Sequence, residues 1–514
     1  MMRARAFTAL LLVIPLACSS STPGTTPPRE DASSRRDAAS TDAVATTDSA
    51  RDAAADAAAD AWTDGQGSEL PSNEALAAWL QPVFAQGYVH GMVVGVLDAT
   101  GSAVYGFGTV GTTGIAPTGD TIFQIGSVSK TFTGLLLASQ VAGGALSASE
   151  PVQNLLPASV TVPTWHGLPI TLQDLTTHTS GLPDAPTNLT PTDPLNPWAG
   201  YSVQDLYTFL NGYALPYAPG TQFVYSDVGE GLLGLALSLK AGTTYDGDVQ
   251  SVIAGPLGLV DTTSMLSASQ QPRLAPAYDG DLNPIEAWTF TEADAPAGAL
   301  RSTVNDLLVY GAAQAGVTTS PIAAAMTLSH KPITQSFDLT DEIGYNWIVS
   351  PGNILWHNGG LYGGAAFVGF DPVEHKVVAI LLDTGALNTP TPVFSDVPTS
   401  LGLLLMHWLQ GTPPPPVDTL LPALVSVPTQ TLANLVGTYD FSGMDSMQVT
   451  LNGDTLEANA DWLWYFPAKL YPTSATTFNL RAVQASVSFE VGGDGGASGL
   501  TLTAEGQSLQ GTKS

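Results

Sequence analysis

Segment 123–133 constrains this chain most, because a short apolar run stops at Gly126 and an apolar helical pattern follows Lys130. Ser127 and Lys130 are three residues apart, so their side chains lie close together on the first turn of the predicted helix. A serine hydroxyl needs a base to take its proton, and a lysine can be that base only while it is neutral. The free N–H groups of the helix start could also face an oxyanion. Taken alone, Ser-x-x-Lys more often marks a helix start followed by a solvated lysine, so the rest of the chain has to decide.

Length and charge limit the classes of protein to consider. The 514 residues predict two or three domains, and 44% hydrophobic against 12% charged residues predicts large buried cores. The formal net charge of -30 argues against nucleic acid as a partner and against electrostatic attraction to anionic lipid. The histidines show no metal-ligand spacing, so no metal or organic cofactor is expected.

The N-terminus has the pattern of an export signal. Two arginines precede an apolar run at 6–17 that is too short to span a bilayer and predicts a signal peptide over 1–18. The run ends Leu-Ala-Cys-Ser, which resembles the processing site of bacterial lipoproteins and implies lipidation of Cys18 and a place in the cell envelope. The alternative is an ordinary secretory signal. Segment 19–71, rich in Ala, Asp, Ser and Thr, predicts a disordered tether.

The rest of the chain divides into two predicted globular parts. Between 72 and 411, helical patterns alternate with β-rich runs, among them a run from Ile354 that ends in Gly359 and Gly360. A Pro-rich linker follows at 412–430. Segment 431–514 alternates β-rich runs with Gly-containing turns, which predicts a small antiparallel barrel or a sandwich.

Four motifs in one order carry a family resemblance: Ile125-Gly-Ser-Val-Ser-Lys130, His178-Thr-Ser-Gly-Leu-Pro183, Pro219-Gly-Thr-Gln-Phe-Val-Tyr225-Ser-Asp227 and His357-Asn-Gly-Gly360. With them, segment 72–411 resembles the serine β-lactamase and penicillin-binding-protein family, in the branch of class C β-lactamases, DD-carboxypeptidases and esterases. The resemblance implies an α+β fold, with an antiparallel sheet flanked by helices, an all-helical lobe and the site between them. The C-terminal segment resembles the lipocalin-like domains appended to some members.

The resemblance also implies residue roles. Ser127 would be the acylated nucleophile, and its proton would pass to Lys130 or to Tyr225, two bases that the sequence does not separate. The oxyanion would lie between the backbone N–H groups of Ser127 and Gly360. Gly359 and Gly360 would let a substrate backbone approach closely, the alternative being a plain turn after Asn358.

Two positions depart from the family's pattern. Asp227 stands where asparagine is common; its carboxylate would favour a charged Lys130 and shift the role of base to Tyr225, unless it only caps a helix. His357 stands where β-lactamases of this branch carry lysine. Histidine would hold a substrate carboxylate fully only below about pH 6.5, so activity on such substrates is expected to weaken from roughly pH 5 to 8. His178 could be a catalytic base, although a histidine in a turn that ends a helix more often forms hydrogen bonds with the local backbone.

Together these features predict an exported, lipid-anchored serine hydrolase that acts through an acyl-enzyme on a small-molecule or short-peptide amide or ester, in the manner of a DD-peptidase or esterase. A class C-type β-lactamase is the alternative within the enzymes. A binding or scaffold lipoprotein that has lost turnover is the alternative from another class. Membrane contact is expected only through the lipid anchor, and the oligomeric state is left open.

Overall fold

The structure is a computed structural model that describes residues 70–111, 114–336, 340–385, 397–442, 444–460, 467–481, 485–493, 495–504 and 507–514. The predicted signal peptide with Cys18, and nearly all of the predicted tether at 19–71, lie outside these ranges. Within them, no helix has both the length and the apolar character that crossing a bilayer requires.

The strands fall into two large groups. The first group forms one large sheet and two separate two-stranded sheets, β3-β6 and β4-β5. It comprises β1 (Gly91–Asp98), β2 (Gly101–Gly108), β3 (Phe123–Gln124), β4 (Ala277–Tyr278), β5 (Pro284–Ile285), β6 (Arg301–Ser302), β7 (Thr334–Gln335), β8 (Glu342–Ile343), β9 (Ile348–Ser350), β10 (Ile354–Leu361), β11 (Gly364–Asp371) and β12 (Lys376–Leu382). The second comprises β13 (Gly437–Phe441), β14 (Met447–Asn452), β15 (Thr455–Asn459), β16 (Ala468–Pro472), β17 (Thr477–Leu480), β18 (Ala485–Val491), β19 (Ala497–Ala504) and β20 (Gln507–Lys513).

The helices cluster in the first part of the chain and range from one turn to four. They are α1 (Asn73–Ala85), α2 (Ser129–Ala142), α3 (Leu172–Thr176), α4 (Val203–Gly212), α5 (Asp227–Ala241), α6 (Tyr245–Val249), α7 (Gly255–Leu257), α8 (Ala295–Gly298), α9 (Val304–Gln314), α10 (Ala323–Ser329), α11 (Val397–Leu409) and α12 (Thr429–Ala433). Side-chain caps define several starts: the hydroxyl of Ser72 accepts from Ala75 N at 3.1 Å, and the hydroxyl of Thr303 caps α9.

An eight-stranded antiparallel sheet, in the order β2-β1-β12-β11-β10-β9-β8-β7, forms the centre of the domain that precedes the Pro-rich linker. Alternate side chains of β1 enter two different cores, because successive residues of a strand point to opposite faces. Val94 packs against α1 and α11 on one face, and Val93 joins the core that contains α2, α5 and α9 on the other. The predicted α+β class, with an antiparallel sheet, flanking helices and a helical lobe, is confirmed.

The C-terminal strands close into a barrel in which each strand pairs with the next and β20 pairs with β13. The sequence left a barrel and a sandwich open, and this closure decides for the barrel. Lipocalin barrels share the eight-stranded, up-and-down order. Its interior holds aromatic side chains such as Tyr439, Phe478 and Phe489.

The Pro-rich linker and Arg481 join the barrel to the sheet domain. The indole N–H of Trp79 in α1 donates to Pro415 O at 2.9 Å, so the linker packs on the domain. Arg481 is buried, with its guanidinium 3.8 Å from the ring centres of both Tyr88 and Tyr471. Its Nη1 also donates to Gln86 O at 2.7 Å. One barrel side chain thus makes stacking and hydrogen-bonding contacts with the neighbouring domain.

We expect Arg481→Ala to lower the free energy of unfolding by about 3 kcal/mol or more, because it removes two desolvated cation–π contacts and charged hydrogen bonds. Lys513→Ala is the control: its amine lies 5.8 Å from the Tyr439 ring centre, is half-buried and stays within the barrel. Its loss is expected to stay below about 1 kcal/mol. Urea unfolding measures both variants, and equal losses would contradict the interface role.

Candidate active site

Ser127 lies between β3 and α2, in a single 3₁₀ turn over Gly126–Val128. Gly126 has φ +50°, a left-handed conformation that is unfavourable for residues with a Cβ atom. A Cβ at this position would also lie 3.1 Å from the backbone nitrogen of Gly360. Glycine therefore lets the chain leave β3 and brings Ser127 against strand β10.

Lys130, in the first turn of α2, is completely buried and directs its amine at Ser127. Nζ donates to Ser127 Oγ at 2.9 Å and to the carbonyl oxygen of Ala297, in α8, at 2.7 Å. The hydroxyl and the amine are therefore in direct contact, as their spacing in the sequence predicts.

Asp227 forms an ion pair with this amine: its Oδ1 lies 2.7 Å from Lys130 Nζ. The cap of α5 is instead Ser226, whose hydroxyl accepts from Gly229 N, so the alternative that Asp227 only caps the helix is wrong. Burial by itself lowers the pKa of Lys130, but the Asp227 carboxylate and the Tyr225 phenol raise this pKa by more, so that it lies above its ordinary value. Lys130 is an ammonium at neutral pH.

The phenol of Tyr225 has hydrogen-bond interactions with both Lys130 and Ser127. Lys130 Nζ lies 4.8 Å from the centre of its ring, and the imidazole of His178 packs on the ring at 4.5 Å. Burial raises the pKa of Tyr225 to about 12, and the ammonium of Lys130 offsets this only in part. The phenol is therefore neutral at physiological pH.

Strand β10 continues through Gly359 and Gly360 to Leu361, so the alternative of a plain turn after Asn358 is wrong. A Cβ at Gly359 would lie 2.0 Å from Ile125 O and 3.0 Å from Ser127 N. Gly360 is exposed and has open space where a Cβ would stand. The backbones of Ser127 and Gly360 thus border the same cavity, the arrangement that the predicted oxyanion site requires.

His357 is buried, with 2% of its surface exposed. Its Nδ1–H donates to the carbonyl oxygen of Asn358 at 2.6 Å. Burial and the nearby Lys130 ammonium lower the pKa of His357 to about 3. The expectation that His357 changes charge between pH 5 and 8 and holds a substrate carboxylate is therefore wrong, because the sequence does not reveal how deeply the imidazole is buried.

His178 is also buried, and burial first, then Lys130, lower its pKa well below the ordinary value. Its Nδ1 accepts the backbone N–H of Ser226 at 3.2 Å, and its carbonyl oxygen accepts from Val224 N at 2.8 Å. These contacts agree with the local-backbone alternative rather than with a catalytic base. They hold the segment that carries Tyr225.

Two buried residues behind Lys130 escaped sequence analysis. Asn346 donates from Nδ2 to Lys130 O at 3.0 Å and to Thr176 Oγ1 at 3.1 Å. Glu230 is completely buried one turn after Asp227, and burial raises its pKa to about 8 against the opposing effect of Lys130. A carboxyl in an otherwise apolar helix was the available signal for Glu230; nothing in the sequence indicated Asn346.

A cavity opens above Ser127. Its walls combine carboxylates, aromatic rings and small residues, namely Ser127, Asp184, Ala185, Leu189, Pro197, Trp198, Asp227, Trp288, Phe290, Asp294, Ala297, Gly298, Gly360, Leu361 and Tyr362. None of these described lining residues is a lysine, arginine or histidine. Across the described ranges, no group of three or more His, Cys, Asp and Glu side chains has a metal-binding arrangement.

The chain belongs to the Beta-lactamase family, whose model matches residues 76–392, well over half of the sequence. A second family, described as a Domain of unknown function (DUF3471), matches residues 421–513. The family resemblance inferred from the four motifs is thereby confirmed.

Among curated proteins, the chain is 31% identical over 219 residues to the D-alanyl-D-alanine-carboxypeptidase/endopeptidase AmpH of Escherichia coli (strain K12), a match that covers 42% of this chain and 55% of AmpH. It thus spans little more than half the length of that relative. It is 25% identical over 406 residues to Penicillin-binding protein 4* of Bacillus subtilis (strain 168), covering 73% of this chain and 84% of that protein.

Solved structures share the fold at lower identity. A class C beta lactamase from Rhodobacter sphaeroides superposes with a TM-score of 0.56 at 23% identity, covering 66% of this chain and 99% of that one. The octameric penicillin-binding protein homologue from Pyrococcus abyssi gives a TM-score of 0.56 at 20% identity, covering 85% of this chain and 99% of that one.

We expect Gly359→Ala to lower the free energy of unfolding by about 2 kcal/mol or more, because its Cβ would have to displace the Ile125 carbonyl. Gly360→Ala is the matched control, with open space at the Cβ position. Its effect is expected to stay within about 0.5 kcal/mol. Urea unfolding compares the two, and equal stabilities would contradict the close approach of β10 to the serine turn.

The neutral His357 predicts a loss of stability in acid. Because its pKa is about 6.5 in the unfolded chain and about 3 in the folded one, the unfolded chain binds more protons as the pH falls below 6.5. Between pH 7 and 4.5 we expect the free energy of unfolding of His357→Gln to fall by roughly 2–3 kcal/mol less than that of the wild type.

The control for this prediction is His407→Gln, at an exposed histidine of α11. Its stability should follow the wild-type pH dependence. If His357→Gln also follows the wild-type curve, the imidazole is not held neutral by burial.

Proposed function

We propose that the protein is a serine hydrolase that forms an acyl-enzyme at Ser127 and acts on small amides or esters, in the manner of a DD-peptidase or esterase. The observation that carries the proposal is the contact of the Ser127 hydroxyl with the Lys130 amine and the Tyr225 phenol at the floor of an open cavity. Membership of the Beta-lactamase family supports it.

In this proposal Ser127 Oγ attacks the substrate carbonyl carbon and its proton passes to the Tyr225 oxygen. Tyr225 gives its own proton to the leaving nitrogen or oxygen as the bond to the carbonyl carbon breaks. The carbonyl oxygen becomes an oxyanion between the N–H groups of Ser127 and Gly360, where loss of one donor typically raises the barrier by about 2.7–4 kcal/mol. Water then attacks the acyl group, and the same proton path runs in reverse.

The electrostatics favour Tyr225 over Lys130 as the group that exchanges protons. With a pKa of about 12, a free Tyr225 phenolate at pH 7 costs about 7 kcal/mol. Deprotonating Lys130 is less favourable still, because it breaks the ion pair with Asp227. A concerted transfer through the Tyr225 hydroxyl avoids both free bases, while the ammonium stabilises negative charge that develops on the phenol oxygen.

A class C-type β-lactamase is the second candidate, supported by the 26% identity over 329 residues to the Beta-lactamase of Escherichia coli (strain K12), which covers 62% of this chain and 79% of that protein. Asp227 and His357 weigh against it. A carboxylate cannot donate to a substrate amide carbonyl, and a neutral, buried imidazole cannot attract a substrate carboxylate. Export and lipidation of Cys18 belong to the same proposal.

Active-site labelling tests the function. A fluorescent fluorophosphonate should label the wild type and leave Ser127→Ala unlabelled, since the variant has no nucleophile. Ser149→Ala, at an exposed serine of the same domain, should label like the wild type. Labelling by the phosphonate but not by a fluorescent penicillin favours a peptidase or esterase, and rapid turnover of penicillin favours a β-lactamase. An unlabelled wild type would support the non-catalytic alternative.

The ion pair predicts a shift in the pH profile of Asp227→Asn. The Asp227 carboxylate raises the pKa values of both Lys130 and Tyr225, so its removal lowers both. The proposed mechanism requires the ammonium of Lys130 and the neutral phenol of Tyr225, so the alkaline limb of kcat/KM on a neutral ester should move to lower pH by about one unit or more. Asp454→Asn, at an exposed carboxylate of the barrel, should leave the profile unchanged. An unmoved or upward-shifted limb in Asp227→Asn would contradict this electrostatic assignment.

A further inference from the structure

The cavity above Ser127 has an acidic wall. Asp184, Asp227 and Asp294 line it, and no lysine, arginine or histidine is among the described residues that do. Asp227 is committed to Lys130. Asp294, with 3% of its surface exposed, forms no ion pair with a lysine, arginine or histidine among the described residues.

Asp294 has one satisfied oxygen and one without a partner. Its Oδ1 accepts from Thr291 N at 2.7 Å and from Thr291 Oγ1 at 3.0 Å. Its Oδ2 is buried and has no hydrogen-bond partner among the described residues. Burial, together with the like charge of Asp227, raises the pKa of Asp294 to about 8, even though the Thr291 bonds lower it. An incoming cation would relieve the unfavourable ionisation of this carboxyl.

Aromatic rings line the same cavity as this carboxyl. Trp288 meets Tyr362 edge to face, with ring centres 5.1 Å apart, and lies 6.0 Å from Phe290. All three line the cavity, as does Trp198. Aromatic rings together with a carboxylate are the surroundings in which proteins bind ammonium groups, because the ring quadrupole attracts a cation.

We propose that the cavity between Asp294 and the Trp288, Phe290 and Tyr362 rings is a subsite for a substrate ammonium group, so that amides or esters with a primary or quaternary amine near the scissile carbonyl are the preferred class. That the bound ammonium belongs to a substrate rests on the proposed acyl-enzyme function, whereas the binding of an ammonium group does not. The subsite would thus bind a positively charged substrate group, the opposite of the negatively charged carboxylate expected from the sequence.

Binding to the Ser127→Ala protein tests the subsite without any turnover. Choline and 3,3-dimethylbutan-1-ol have the same shape and differ in charge, and 2-aminoethanol supplies a primary ammonium. Isothermal titration should give choline an affinity about tenfold or more above that of the neutral alcohol. A comparable advantage for 2-aminoethanol would assign the subsite to primary amines as well, and its absence would restrict the subsite to quaternary ones.

Two added substitutions locate the effect. Asp294→Asn keeps the oxygen that Thr291 binds and removes the charge, and it should reduce the preference for choline to below about threefold. Asp454→Asn, on the barrel surface, should retain the full preference. Equal affinity for choline and the neutral alcohol, no measurable binding of choline, or a preference that survives Asp294→Asn would each overturn the proposal.

Hydrolysis by the wild type separates this proposal from the proposed function. Butyrylcholine should have a kcat/KM about tenfold or more above that of 3,3-dimethylbutyl butyrate. Equal values for the two esters would overturn the ammonium subsite and leave the acyl-enzyme standing. Charge-selective binding with no hydrolysis of either ester, and no label on Ser127, would instead overturn the proposed function and leave the subsite.

Discussion

The ion pair between Lys130 and Asp227 is the interaction on which the arrangement of the site depends. A buried ammonium without partners is unfavourable by several kcal/mol, so it is tolerated only where acceptors surround it. Here the acceptors come from three segments: the Ser127 turn, the start of α5 and the carbonyl of Ala297 in α8. The same contacts that neutralise the lysine therefore hold these segments together around the serine.

The charge distribution follows from that pair. The carboxylate of Asp227 balances the charge of Lys130. The neighbouring histidines at 178 and 357 are neutral because each is buried and lies close to the ammonium. The cavity above is lined by carboxyl groups, and Asp294 lacks a counter-charge among the residues that the structure describes. The centre of the site thus stabilises negative charge on the reacting oxygen, whereas its outer wall attracts a positive group.

Sequence reasoning succeeded where the contacts are local. The spacing of Ser127 and Lys130 on one helical turn predicts their contact. Asp227 is distant in the sequence, and only the family resemblance predicted that its carboxylate would lie near Lys130 and favour a charged lysine. The glycines of β10 predicted the close approach of a substrate backbone, whereas the structure shows Gly359 packed against the backbone of Ile125 and open space at Gly360. The strand alternation beyond 431 predicted an antiparallel β domain, but the choice between barrel and sandwich depends on the pairing of β13 with β20, across the whole domain.

It failed where burial and long-range contacts decide. His357 looks in the sequence like a titrating histidine, and only the packing of β10 reveals that it is neutral. Asn346 reaches Lys130 from more than 200 residues away in the chain. The second oxygen of Asp294 lacks a partner because of how the described residues pack around it. No local pattern records such relations.

The central claim is that Ser127 is the nucleophile and that the backbone N–H groups of Ser127 and Gly360 receive the oxyanion. A crystal structure of the phosphonylated protein tests it most directly, because the phosphonyl oxygen stands where the oxyanion of the transition state would be. The account predicts phosphorus bonded to Ser127 Oγ and an oxygen about 2.7–3.1 Å from both nitrogens. Phosphorus on another side chain, or an oxygen turned away from Gly360, would contradict it.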